Sequence, residues 1–310
     1  MALSVFPKKT RFSPCISLGV LLVFALFPGI CESIVTIDDP SEAVVNVRNY
    51  PFFVALYARG DCAGTIISRR HVVTAAHCVC GSPKAGIPVL FADGRKIVPV
   101  RGYRNPACVF DCKKDGPNRC DVAVLAFDVD VAKAGDAAIV PVYAGKDEVG
   151  RAMEIFGYGI SGKASTFAGN PKKCRKAKVD RKFRMATNVV DRVNGKLRVV
   201  EYDLTNRPGE GIAEDGDSGG PALITVGAKK YIIGVNSGTS EKNPCEIGAV
   251  DQYARLSIHY NFIQNAMGGE VSPWVTWNKK TTKCKKIKNK KQCGKSNQCR
   301  WKKNKCMNKK

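Results

Sequence analysis

Between residues 50 and 265 the chain is a succession of short apolar runs separated by turn residues. Phe52–Tyr57, Thr65–Ile67, His71–Val73, Val122–Leu125, Glu154–Phe156, Leu197–Val200 and Tyr231–Val235 are rich in β-branched and aromatic residues, and Gly, Pro, Asn and Asp stand between most of them. Runs of three to six residues with almost no 3.6-residue period predict strands, and their number predicts an all-β barrel or sandwich. The last periodic segment, Leu256 to Ala266, places Leu256, Ile258, Phe262 and Ile263 on one side and suits a short closing helix.

Residues 1–33 have a different pattern. Lys8, Lys9 and Arg11 precede the apolar run Ile16–Ile30, and Cys31-Glu32-Ser33 follow it. That is the layout of a secretory signal peptide. A membrane anchor is the competing reading, but the run falls short of the roughly 20 residues a spanning helix needs. No later segment is long and apolar enough to span. The expectation is therefore a secreted mature protein, extracellular and without a transmembrane segment.

At 310 residues the chain holds one large domain or two modest ones. Its 14 cysteines become 12 once Cys15 and Cys31 are removed, an even number in an oxidising compartment, so disulfides are expected. The cluster Cys108, Cys112 and Cys120, near Cys80, invites a zinc reading, yet its spacings lack the paired C-x2-C knuckles of a zinc ribbon. Charge separates two regions. Residues 279–310 carry 15 Lys and Arg and no acid, and residues 1–33 carry +2, leaving +6 of the total +23 for residues 34–278. A mildly basic domain is thus joined to a strongly basic tail.

Three segments carry the chemistry: Thr74-Ala75-Ala76-His77-Cys78, Asp121-Val122-Ala123-Val124-Leu125 and Gly216-Asp217-Ser218-Gly219-Gly220-Pro221. In this order, with 44 and 97 residues between His77, Asp121 and Ser218, they resemble the signature segments of the trypsin/chymotrypsin family of serine proteases. The resemblance covers residues 34 to about 267. It implies two six-stranded antiparallel β-barrels with a short C-terminal helix, a peptidase acting on polypeptide substrates as a monomer, and no metal or cofactor. It also implies the roles of the residues. Ser218 is the nucleophile, His77 the general base and acid, and Asp121 holds the imidazole; main-chain N–H groups of Gly216 and Ser218 form the oxyanion hole, worth roughly 3 kcal/mol per donor. Cys62 and Cys78 match the family's loop-closing disulfide.

The sequence departs from the family at two places. The residue six before the nucleophile, at the base of the primary specificity pocket, is Ile212 rather than the Asp that selects Lys or Arg. Ala213 follows it, Gly238 falls in the pocket wall, and Asp251 takes the place of a lining glycine. Asp251 either supplies the negative charge from the wall or is a satisfied acid unrelated to substrate. Glu214 replaces a cysteine that usually braces this pocket, so Cys245 needs another partner, for which Cys174 is the candidate. The second departure is at the amino terminus that pairs with Asp217. No Ile-Val-Gly-Gly exists; Ile34-Val35 and Ile37 are the candidates, and signal cleavage before Ile34 would expose the first directly.

The domain expectation is a signal peptide over 1–33, the protease domain over 34–268, a linker over 269–283 and a small basic module over 284–306. Cys284, Cys293, Cys299 and Cys306 with Trp301 suit a disulfide knot too small for a hydrophobic core, similar to short cysteine/tryptophan modules appended to secreted proteins. The charge of residues 279–310 suits a polyanion such as an acidic polysaccharide or an anionic surface, against the plainer reading of a solubilising tail. Rivals on the same site are a narrow-specificity processing enzyme or esterase; from another class, a silent family member that only binds.

Overall fold

The computed structural model describes residues 34–57, 61–83, 86–108, 112, 120–133, 135–175, 182–195, 199–239, 245–277, 299–302 and 305–308. The expected signal peptide, and Cys284 and Cys293 of the basic module, lie outside these residues.

Two antiparallel sheets dominate. The first has eight strands in the order Val275–Thr276, Arg101–Arg104, Ala123–Ala126, His71–Thr74, Asp61–Ser68, Phe53–Tyr57, Val89–Phe91 and Lys96–Ile97. The second has seven: Arg184–Val189, Ala152–Gly157, Pro221–Val226, Lys229–Thr239, Val250–Arg255, Val199–Asp203 and Arg192–Asn194. The two sheets curl into the two expected barrels, each with more strands than the expected six. A small sheet joins Val35–Thr36 to Gly162–Lys163 and Gly211–Ile212.

The alternation of side chains explains why the strands read as unbroken apolar runs. Val54, Ile66, Val72, Ala123 and Leu125 fill the first barrel, while their neighbours Phe53, Ile67, Val73, Val122 and Val124 point the other way. That second set packs with Phe156, Phe183, Leu223, Ile232 and Ile263 in a layer between the barrels. A third cluster, with Met153, Ile155, Val200, Tyr202, Ile212 and Tyr253, fills the second barrel. Both faces of the central strands are thus buried, so neither carries a polar period.

The expected closing helix is Tyr260–Gly268, preceded by a single tight turn at Ser257–His259 and ended by Gly269 at φ +80°. Its Phe262, Ile263 and Ala266 are buried, whereas Ile258 stays 37% exposed and off the packed stripe. Beyond it, residues 269–277 fall in the expected linker yet run along the first barrel. Val275–Thr276 pair with Arg101–Gly102, and Trp277 is buried against the backbone of Gly86 and Gly102, where a Cβ would meet its ring at 3.3 and 3.1 Å. Cys299–Lys302 and Lys305–Asn308 form an antiparallel hairpin.

Candidate active site

Strand register brings His77 and Asp121 together. His71–Thr74 and Ala123–Ala126 are antiparallel neighbours with Thr74 opposite Ala123. His77, three residues past one strand end, therefore meets Asp121, two residues before the other strand begins. The Asp121 carboxylate is 1% exposed and takes three bonds: His77 N to Oδ1 at 2.8 Å, His77 Nδ1 to Oδ2 at 2.7 Å, and Ser237 Oγ to Oδ2 at 2.7 Å. With Nδ1 committed to a carboxylate, Nε2 faces away from it as the free ring nitrogen. Burial lowers the His77 pKa, but the hydrogen bond and charge of Asp121 outweigh it and hold the imidazole above its ordinary value.

Ser218 comes from the second barrel, in the turn between Gly211–Ile212 and Pro221–Val226. The turn is held from several sides. Ala63 N donates to Ser218 O at 2.7 Å, Gly219 N to Asn236 O at 2.8 Å, and Gly220 N to Asp217 O at 2.8 Å. Gly219 sits at φ +79°, and a Cβ there would lie 2.3 Å from Thr74 Oγ1 and 2.4 Å from Ala63 O. Only glycine lets the two barrels approach this closely. Among the described residues, the N–H groups of Gly216 and Ser218 have no acceptor, although those of Asp217, Gly219 and Gly220 between and beyond them do. No hydrogen bond joins the Ser218 hydroxyl to His77 Nε2, whose recorded contact is Cys78 Sγ at 3.7 Å; such pairs often tighten only around substrate.

Asp217 is wholly buried beneath this turn. Gly159 N donates to its Oδ1 at 2.7 Å, and Glu214 N and Ile34 N to its Oδ2 at 3.0 and 3.3 Å. Burial pushes its carboxyl up to about 7 against these backbone donors. Of the two candidate amino-terminal residues, Ile34 is the one brought to Asp217. It is fully buried, and its φ of +67° is unusual for a β-branched residue. Ile37 instead donates its N–H to Glu210 O.

The candidate pocket residues Ile212 and Ala213 belong to the core cluster of the second barrel, and Gly238 and Asp251 to its strands. Ile212 is fully buried opposite Val35, Ala213 is buried, and Gly238 lies at a register shift with φ +141°. Asp251 is 1% exposed and accepts from Tyr202 OH at 2.7 Å, Gln252 N at 2.8 Å, Asn236 Nδ2 at 3.1 Å and Ala213 N at 3.3 Å. Burial pushes its carboxyl up to about 8. Glu214 has one carboxylate oxygen buried without a partner, and burial, with the charges of Asp251, Asp215 and Asp217, holds it well above the usual range.

Disulfides join Cys62 to Cys78, Cys80 to Cys112, Cys108 to Cys120 and Cys174 to Cys245. The first three flank His77 and Asp121 in the chain; the fourth gives Cys245 the partner named for it. Sequence reasoning missed the role of Ser237, the residue before Gly238. It also missed Tyr202 and Asn236 as partners of Asp251. The signal for Tyr202 was a polar-tipped aromatic between Glu201 and Asp203 in a short strand, too common to single out.

Comparison with known proteins shows the family to which the chain belongs. The Trypsin family profile matches residues 41–263. A serine protease of Anopheles gambiae, SP24D, is 30% identical over 241 residues, covering 73% of this chain and 79% of its own. A trypsin of Saccharopolyspora erythraea is 28% identical, covering 70% of this chain and 93% of its own. Among solved structures, human heparin binding protein superposes over 75% of this chain and 98% of its own, with a TM-score of 0.56 at 19% identity, a likeness of fold. The chain belongs to the trypsin family and is a serine endopeptidase.

Proposed function

We propose that the enzyme is secreted and cleaves polypeptides through an acyl-enzyme on Ser218. Ser218 Oγ attacks the scissile carbonyl carbon as His77 Nε2 takes its proton. The C–N bond then breaks, and His77 returns the proton to the leaving amine. Water, deprotonated by the same nitrogen, attacks the ester and restores Ser218. Asp121 fixes the imidazole tautomer and stabilises the imidazolium, itself steadied by Ser237. The carbonyl oxygen receives the N–H groups of Gly216 and Ser218 as its charge develops. The observation that carries this reading is the 2.7 Å bond from His77 Nδ1 to a buried Asp121, across from a turn with two unused N–H groups. A fluorophosphonate probe tests it: the processed enzyme should be labelled at Ser218, and His77→Ala should slow labelling by several orders of magnitude. Labelling elsewhere, or at an unchanged rate, would overturn it.

Activation follows from removal of residues 1–33. Cleavage before Ile34 turns an amide nitrogen into an ammonium beside buried Asp217, and no propeptide is required.

The Asp251 contacts favour the satisfied acid over the pocket charge. Four donors occupy its two oxygens, Ile212 leaves no acid at the base, and burial favours the neutral form of Glu214, so this region supports no fixed negative charge for a cationic side chain. The polyanion reading of residues 279–310 rests on their charge alone. Elution from an anionic polysaccharide resin should then need more salt for the full chain than for one ending at residue 278. Equal elution would leave the tail as a solubilising segment.

A further inference from the structure

Two stretches of chain flank the Ser218 turn, and one buried carboxylate touches both. On one side the strand Lys229–Thr239 runs past the turn: Gly219 N donates to Asn236 O, and Asn236 N to Gly220 O, each at 2.8 Å. On the other side residues 212–214 lead into it. Glu214 N donates to Asp217 Oδ2 at 3.0 Å, and Asp217 N donates back to Glu214 O at 2.9 Å. Asp251 reaches each stretch. Asn236 Nδ2 donates to its Oδ1 and Oδ2 at 3.3 and 3.1 Å, and Ala213 N donates to its Oδ2 at 3.3 Å.

The link through Asn236 continues to the triad. Asn236 lies opposite Tyr253 and Gly238 opposite Gln252, so Ser237 between them is the extra residue of a bulge. Asn236 turns its side chain to Asp251, among Tyr202 and Tyr253 of the second barrel's core. Ser237 turns its hydroxyl the other way, to Asp121 Oδ2 at 2.7 Å. The direction of that hydroxyl is thus set by what holds Asn236. Asp251 is itself held by its cross-strand partner Tyr202, whose hydroxyl donates to Oδ2 at 2.7 Å, and by Gln252 N, which donates to Oδ1 at 2.8 Å. A buried carboxyl is a poor source of stability, because its desolvation offsets its contacts and well-packed apolar side chains do as well or better. What a fully bonded polar network adds is a unique arrangement of the chains it joins.

We propose that Asp251 is a positioning residue for the hydrolytic reaction: through Ala213 and Asn236 it clamps both flanks of the Ser218 turn, and through Asn236 it aims the Ser237 hydroxyl at Asp121. The proposal rests on the endopeptidase reading of the triad.

A fluorophosphonate with a small alkyl group tests it, because the probe reports the activated serine without filling a side-chain pocket. Asn236→Ala cuts the link and leaves Asp251 its bonds from Tyr202, Gln252 and Ala213. Its maximal labelling rate should fall about tenfold, the equivalent of one hydrogen bond to a charged acceptor, with the affinity for the probe unchanged. In the same variant the low-field proton NMR resonance of His77 Nδ1–H should move as it does in Ser237→Ala. Tyr202→Phe removes one donor from Asp251, keeps the ring, and should slow labelling in the same direction; it decides the matter if Asn236→Ala does not fold. Ser257→Ala is the control. It deletes a bond to a different buried carboxylate, Glu148, and should lower stability while leaving rate and resonance as in the wild type. Wild-type labelling by the Asn236 and Tyr202 variants, an unmoved resonance, or equal slowing by Ser257→Ala refutes the positioning role and leaves the endopeptidase reading standing. If the processed wild type is not labelled at Ser218, that reading falls and the proposal with it.

Discussion

Retaining a single residue before Ile34 should silence the enzyme. Ile34 N lies 3.3 Å from Asp217 Oδ2, both residues are fully buried, and the other donors to that carboxylate are neutral backbone N–H groups. With the chain uncut, the nitrogen is one more neutral amide, and burial leaves the carboxyl near 7. Cutting before Ile34 supplies a charge at the same place. Removing one partner of a buried ion pair costs about 3–5 kcal/mol, because the other is left uncompensated. Cutting also relieves the φ of +67° at Ile34, since a terminal residue has no preceding peptide; such conformations cost about 1–3 kcal/mol. At 1.4 kcal/mol per tenfold, the pair alone corresponds to about 10² to 10⁴ in the population of the competent Gly216–Ser218 turn. The assay compares chains beginning at Ile34 and at Ser33, made by removing a cleavable fusion. Active-site titration and kcat/KM should both fall by that factor in the longer chain. Equal activity would refute the reasoning, and so would an active secreted form that begins elsewhere.

Three further outcomes follow from single contacts. Because Asp121 holds the His77 pKa above 6.5, kcat/KM should rise with pH through a midpoint above 6.5; the same pair stabilises the fold fully below pH 6.5 and less as pH rises through the raised pKa, and a midpoint below 6.5 would contradict the pairing. Ser237→Ala removes one of the three bonds to Asp121, worth about 1.5–3 kcal/mol of stability for a charged acceptor, so the melting temperature should fall by several degrees and kcat/KM at least tenfold; an unchanged rate would show that Ser237 does not steady the triad. Asp251→Ala orphans Tyr202 OH and Asn236 Nδ2 in the second barrel and should cost roughly 2–4 kcal/mol in a denaturant titration; a loss of Arg preference without loss of stability would return Asp251 to the pocket.

What the sequence made legible were features that are local. The triad segments are short, and each carries its geometry with it: a strand end at His77, a strand start at Asp121, a glycine turn at Ser218. The strands were legible from their short β-branched runs, which left barrel and sandwich open; the two barrels were implied by the resemblance the triad segments carry. Features that depend on distant partners were not. Ser237 reaches Asp121 across 116 residues, and Tyr202 reaches Asp251 across 49, so neither bond leaves a mark on its neighbours in the chain. The continuation to Trp277 was hidden for another reason. Its two-residue strand is too short to show a period, and it is followed at once by lysines. What fixes it is Gly86 and Gly102, far upstream, whose missing side chains make room for the indole. The amino terminus was legible as two candidates, and burial beside Asp217 separates them.

The central claim is that His77, Asp121 and Ser218 act together to hydrolyse peptide bonds. Turnover of a fluorogenic peptide library, varied at the residue before the scissile bond, by the processed enzyme and by Ser218→Ala tests it most directly. Loss of the nucleophile should lower turnover by about 10⁶, with the wild type cleaving after neutral side chains. Equal turnover by the two proteins, or none by a wild type shown to begin at Ile34, would contradict the account.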